Sequence, residues 1–188
     1  MCRGAPDWIA LPAGNLGNTS AFGDAIRVAN EVGLINKIPR LLAVQAAGAA
    51  PFAHAFDRKF AQGTHVAVAN PETVATAIRI GAPASWDRAV RAITETRGIV
   101  TAVTDEAILE AKREIDRAGI GCEPASAASV AGVRKLRAEG RIQSTESVVA
   151  VLTGHLLKDP AAVREKDSSL IEIAATVAEL RRAMEGLG

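Results

Sequence analysis

Seven residues, Pro12-Ala13-Gly14-Asn15-Leu16-Gly17-Asn18, have the types and spacing to hold an anion. An apolar run, Trp8-Ile9-Ala10-Leu11, leads in, and Phe22, Ala25, Ile26, Ala29 and Val32 lead out along one helical face. The first N–H groups of a helix lack partners inside it, and the helix dipole attracts negative charge there. Glycine lets the backbone turn tightly and approach a phosphate, while asparagine adds side-chain donors. An ordinary strand-to-helix turn uses the same residues for conformational reasons alone, so spacing by itself leaves both readings open. The loop is not a Walker loop, because no Lys-Ser/Thr follows its glycines, and it does not match GxGxxG spacing.

Further along, Gly121-Cys122-Glu123-Pro124-Ala125-Ser126 forms a second turn that opens a helix of small residues, with Pro124 or Ser126 suited to its start. Glu123 there either faces solvent or serves a site. Thr153 ends an apolar run ahead of Gly154, which puts a hydroxyl at the carboxyl edge of a sheet, although threonine also simply favours strands. His155 and Lys158 follow, and Asn70-Pro71 and Gly81-Ala82-Pro83 bracket another segment. Cys2 and Cys122 have no CxxC spacing, and His54, His65 and His155 are scattered, which argues against zinc.

The elements that must position these groups alternate. Strands are expected at 8–11, 41–44, 99–103 and 148–152, with a minor one at 66–68. Helices are expected from near Thr19 to Gly33, from about Pro51 to Phe60, from Glu72 to Ile80 and from Trp86 with Ser85 as its cap. Others run from Thr104-Asp105-Glu106 to Gly119, from Ser126 to Arg137 and from Ser168 to Met184. This pattern predicts an α/β fold, a mostly parallel sheet with helices on both faces and its ligand at the carboxyl ends of the strands. The 188 residues form one α/β domain, 1–188, with no repeat or internal boundary. A net charge of +1, 3% aromatic content and no Tyr offer no nucleic-acid surface. No signal peptide or membrane-length apolar run stands out, and two isolated cysteines fit a reducing, cytoplasmic setting.

Taken together, four stretches resemble the threonine synthases, a family of fold-type-II (tryptophan synthase β-like) pyridoxal-phosphate enzymes. These are Pro6 through Asn18, Pro71 through Gly81, Gly121 through Gly132, and Leu152 through Pro160, in the family's order. Sister families typically carry glycine runs or Gly-Thr-Gly-Gly-Thr at the phosphate loop, so Gly-Asn-x-Gly-Asn points away from the serine and threonine dehydratases. The resemblance implies that Gly14, Asn15, Leu16, Gly17 and Asn18 cradle the phosphate of pyridoxal 5'-phosphate. It implies that Thr153 faces the pyridine nitrogen, with Glu123 near the ring as a weaker candidate. The implied reaction turns O-phospho-L-homoserine and water into L-threonine and phosphate.

The family's Schiff-base lysine and the small domain that closes over substrate precede the phosphate loop. This sequence opens just before that loop, so it is expected to hold the carboxyl-terminal, large-domain portion and to be inactive alone. Lys158-Asp159 is not assigned the lysine's role, and Lys37, Lys59, Lys112, Lys135 and Lys166 are expected to face solvent. Exposed apolar surface, and hence a homodimer or association with an amino-terminal segment, is expected too. A non-catalytic phosphate-ligand module, half of a split enzyme, and a related dehydratase stay open as alternatives.

Overall fold

Side chains along each strand alternate between two faces, and both faces are apolar, as a sheet covered on each side requires. The structure, a computed structural model, describes residues 4–158 and 173–185. Strands β1 (Trp8–Pro12), β2 (Arg40–Ala46), β3 (Ile99–Val103) and β4 (Val148–Ala150) form one sheet in the order β3-β2-β1-β4. Every pairing is parallel: Trp8 lies opposite both Arg40 and Val148, and Leu42 lies opposite Ile99.

Helices α1 (Gly17–Glu31), α2 (Pro51–Asp57) and α3 (Trp86–Glu95) serve one face, where Leu11, Leu41, Ala43 and Val100 meet Ile26, Phe52, Trp86 and Ile93. Helices α4 (Asp105–Arg117) and α5 (Pro124–Ala138) serve the other, against Trp8, Ala10, Leu42 and Val44. The small residues of α5 allow a close approach. A Cβ at Gly132 would lie 2.3 Å from a Val44 methyl. A last helix, α6 (Val177–Glu185), is exposed throughout or nearly so. No described helix is long and apolar enough to cross a membrane.

The chain moves outward from β1 through β2 to β3, then returns to place β4 on the other side of β1. The strand order therefore reverses between β1 and β4. Ligands of open α/β sheets gather in the crevice beyond the carboxyl ends at such a point. The far ends of the same two strands are stitched together. Ser147 donates to Asp7 Oδ2 from its backbone N at 2.8 Å and from Oγ at 2.7 Å. Lys37 bonds the same carboxyl, and these partners hold it well below the usual carboxylate range.

An ion cluster joins α1 to α3. Asp24 receives Arg88 at 2.7 Å, Arg27 at 3.0 Å and Arg91 at 2.7 Å. Hydrogen bonds from Arg88, Arg27 and Arg91 lower its carboxyl from 3.8 to about 2. Its contribution is thus complete above pH 3.8 and is lost as pH falls through about 2. We expect Asp24→Asn to flatten the acid limb of a urea-midpoint profile over that window and to leave the slope near pH 7 unchanged.

Several sequence expectations are corrected. Residues 72–80 are not a helix. They carry a single 3-10 turn, Thr76–Ile78, because the segment's polar groups bond outward. Thr73 Oγ1 and Val74 N donate to the Asp105 carboxylate at 2.5 and 2.9 Å, and Glu72 N donates to Gly48 O at 3.1 Å. Residues 66–68 pair with no strand, α2 stops at Asp57 with Lys59 and Phe60 at φ 54° and 52°, and β4 ends at Ala150. Ser85 precedes α3 without a side-chain cap bond, whereas α5 opens at Pro124, one of the two starts expected for it.

Lys112 does not face solvent. It is 5% exposed and lies along the core to reach Asp116 at 2.5 Å, one helical turn on. Lys37, Lys59 and Lys135 are exposed as expected. Cys2, Lys166, Asp159 and the stretch from Ser168 to Glu172 lie outside the described residues.

Candidate functional site

β1 delivers the chain to the carboxyl edge of the sheet, and one more bond, Ala13 N to Val44 O at 2.8 Å, carries the pairing past its end. The backbone then reverses at Leu16, which takes the left-handed conformation (φ 64°) with its side chain buried beneath the turn. Gly17 starts α1. No side chain caps this helix and no acidic residue sits in its first turn, so its N–H groups face the crevice bare. Gly14 is packed from behind. A Cβ there would lie 3.0 Å from both Ala77 O and Ile78 Cα. The 3-10 turn of the 72–81 segment thereby forms the back wall of the loop.

Two side-chain amides, those of Asn15 and Gln45, fix the loop's position. Asn15 Oδ1 accepts Ala84 N at 2.7 Å, and Asn15 O accepts Ser85 N at 3.2 Å, which ties the loop to the entrance of α3. That bond commits the oxygen of Asn15 and leaves its NH₂ as a donor. Gln45, fully buried in β2, accepts Phe52 N and Ala53 N at 2.8 and 3.0 Å and donates to Ala13 O at 3.2 Å. One side chain thus caps α2 and holds the loop's first carbonyl. Sequence reasoning passed over Gln45, although a lone glutamine in the apolar run 41–46 was a signal.

The opposite wall comes from α5 and the chain beyond β4. Thr153 is exposed at the edge, and its Oγ1 lies 3.2 Å from the Oγ of the fully buried Ser126. Ser126 Oγ also accepts Gly154 N at 2.8 Å. Glu123 is not solvent-facing. It is 3% exposed, donates its N–H to Gly154 O at 3.1 Å, and lies 3.4 Å from Lys158 Nζ. A Cβ on Gly154 would come within 2.2 Å of that carboxyl group, so the glycine leaves room for it.

Between the walls lies a cleft of ≈ 340 Å³ that Gly14, Asn15, Leu16, Gly17, Asn18, Glu123, Thr153 and Lys158 all line. Every site residue expected from the sequence therefore borders one space, within the range of small-molecule pockets. Larger clefts of ≈ 460 and ≈ 520 Å³ lie elsewhere and include none of these residues. The fit is chemical as well as spatial. Bare N–H groups at one end suit an anionic group, and a hydroxyl at the other suits a nitrogen or oxygen acceptor. Lys158 is the lysine of this cleft among the described residues, and it is ion-paired. Burial pushes the Cys122 thiol up to about 11, so it is not a nucleophile at neutral pH. No group of three or more His, Cys, Asp or Glu that could hold a metal occurs among the described residues.

Known proteins resemble this chain in sequence and in fold. Residues 1–154 match the family described as pyridoxal-phosphate dependent enzyme. The threonine synthase of Methanosarcina acetivorans is 43% identical over 96% of this chain and 44% of that protein. That of Methanocaldococcus jannaschii is 42% identical over 97% and 45%. The chain thus spans less than half the length of these curated relatives. Among solved structures, Escherichia coli threonine synthase gives a TM-score of 0.64 at 19% identity, covering 96% of this chain and 44% of that one. Maize serine racemase gives 0.62 at 18% identity, covering 97% and 48%. These two likenesses are likenesses of fold.

Proposed function

The chain belongs to the pyridoxal-phosphate dependent enzyme family, and from that premise we propose that its cleft cradles pyridoxal 5'-phosphate as part of a threonine synthase. The reaction is the conversion of O-phospho-L-homoserine and water into L-threonine and phosphate. The observation that carries the reading is the convergence of a bare helix N-terminus and a hydroxyl on one crevice, at the point where the strand order reverses. Identity of 43% and 42% to relatives bearing that name supports the choice of substrate.

In this reading Gly14, Leu16, Gly17 and Asn18 offer backbone N–H groups to the phosphate, and Asn15 adds its side-chain NH₂. Leu16 anchors the turn from below. Thr153 meets the ring nitrogen with a neutral hydroxyl, and Glu123, held by Lys158, sets the charge beside it. When bound, the cofactor supplies an electron sink for carbanion chemistry, and a neutral partner at its nitrogen tempers that capacity. Lys158 is not assigned a proton-carrying role, because Glu123 holds it. We place the reaction in the cytoplasm, with a small phosphorylated amino acid as substrate.

The test compares pyridoxal phosphate, pyridoxal and inorganic phosphate in fluorescence titrations of the chain. We expect pyridoxal to bind at least about tenfold more weakly than its phosphate ester, a difference of about 1.4 kcal/mol, and phosphate to compete. Equal affinity for pyridoxal and its phosphate ester would overturn the loop assignment.

A further inference from the structure

The hydrogen bonds around Ser126 constrain what Thr153 can offer the cleft. Ser126 is fully buried and its Oγ accepts Gly154 N at 2.8 Å, which uses one of its two lone pairs. Two oxygens remain in reach of its proton: Thr153 Oγ1 at 3.2 Å and Gly154 O at 3.4 Å. The second already accepts Glu123 N at 3.1 Å. The main chain around the pair is itself held, because Ser129 Oγ lies 2.7 Å from Ser126 O and 3.3 Å from Val151 O.

Two proton arrangements are available. Either Ser126 donates to Thr153, whose own proton then points into the cleft, or Thr153 donates to Ser126, whose proton turns to Gly154 O. The first presents a donor to a ligand and the second an acceptor. An unprotonated ring nitrogen accepts, so it selects the first. Donation from Ser126 also polarises the Thr153 O–H and strengthens the bond that it makes outward. Resting on the cofactor reading given above, we propose that Ser126 is a positioning residue that turns the Thr153 hydroxyl into a donor toward the ring nitrogen of pyridoxal phosphate.

The experiment measures the affinity of the chain for pyridoxal phosphate against its 1-deaza analogue, which carries C–H where the nitrogen stands. The native chain should prefer pyridoxal phosphate by about three- to tenfold, the size of one hydrogen bond. Thr153→Val should bring the ratio to about 1. Ser126→Ala should lower it to within about twofold of 1 although Thr153 is still present, and the double variant should match Thr153→Val alone, as coupled partners do. Ser126→Cys, whose thiol is a weak donor, should move the ratio the same way and serves if the alanine variant does not fold. A Ser126→Ala chain that binds both compounds more weakly but keeps the native ratio overturns the proposal, leaving Ser126 only an acceptor for Gly154 N–H. A native ratio of 1 overturns it as well. If the native chain binds neither compound, the cofactor reading of the cleft falls, and this inference falls with it.

Discussion

Gly14→Val should weaken the binding of pyridoxal phosphate by about ten- to hundredfold. The first carbon of the new side chain would stand 3.0 Å from Ala77 O and Ile78 Cα, and both are backbone atoms that cannot swing aside. Overpacking of this kind costs about 1–3 kcal/mol, and each 1.4 kcal/mol is tenfold in affinity. The strain falls on the loop because the 72–81 wall is pinned elsewhere, by Thr73 and Val74 on Asp105. Gly17 provides the contrast. A Cβ there meets nothing within 4 Å, and the residue opens α1, where alanine is the better helix former. Gly17→Ala should therefore keep or raise the melting temperature while weakening ligand binding, since Gly17 lines the cleft. Gly14→Val should lower both. Titration and thermal melts on the two variants check the pair, and native-like affinity in Gly14→Val would remove the loop from the site.

Gln45→Leu should lower stability by about 3 kcal/mol. The substitution is close in size and apolar, yet it strips Phe52 N and Ala53 N of their acceptor and Ala13 O of its donor in a fully buried place. For a chain of this length the melting temperature should fall by roughly 6–12 °C. Gln45→Glu separates the two halves of the role. Its carboxylate still accepts from the first turn of α2 but presents an oxygen to Ala13 O where a donor stood. Ligand affinity should then fall more than the urea midpoint does. A Gln45→Leu chain with native stability would mean that water or a shifted backbone replaces all three bonds.

These two residues mark what a sequence can and cannot disclose. Gly14 was legible because a glycine-asparagine turn lies between an apolar run and a helical stripe, all within a few residues. Thr153 and Glu123 were placed by resemblance, and their approach to the same crevice depends on β4 crossing back beside β1. A lone glutamine in an apolar run flagged Gln45, but not its role, because its partners are backbone atoms, which leave no trace in residue types. The 72–80 segment misled for the opposite reason. Its composition suits a helix, but Asp105, about thirty residues on, claims its polar groups. Lys112 misled because charge usually marks the exterior, whereas an aspartate one turn away lets the stem lie inward.

The stitching of β1 to β4 also sets the order in which the molecule can be made. Asp7 and Ser147 are separated by 140 positions, and Thr153 lies beyond them. In a chain growing from its amino end the glycine loop emerges well before the wall that faces it. Distant parallel pairings form slowly, because the loop-closure entropy must be met before the contact gives anything back. A small molecule that requires both walls recognises only the finished sheet, and it stabilises that state by mass action. Refolding followed by ligand capture should lag behind refolding followed by helix signal. For this chain, folding ends at the place where its ligand would begin.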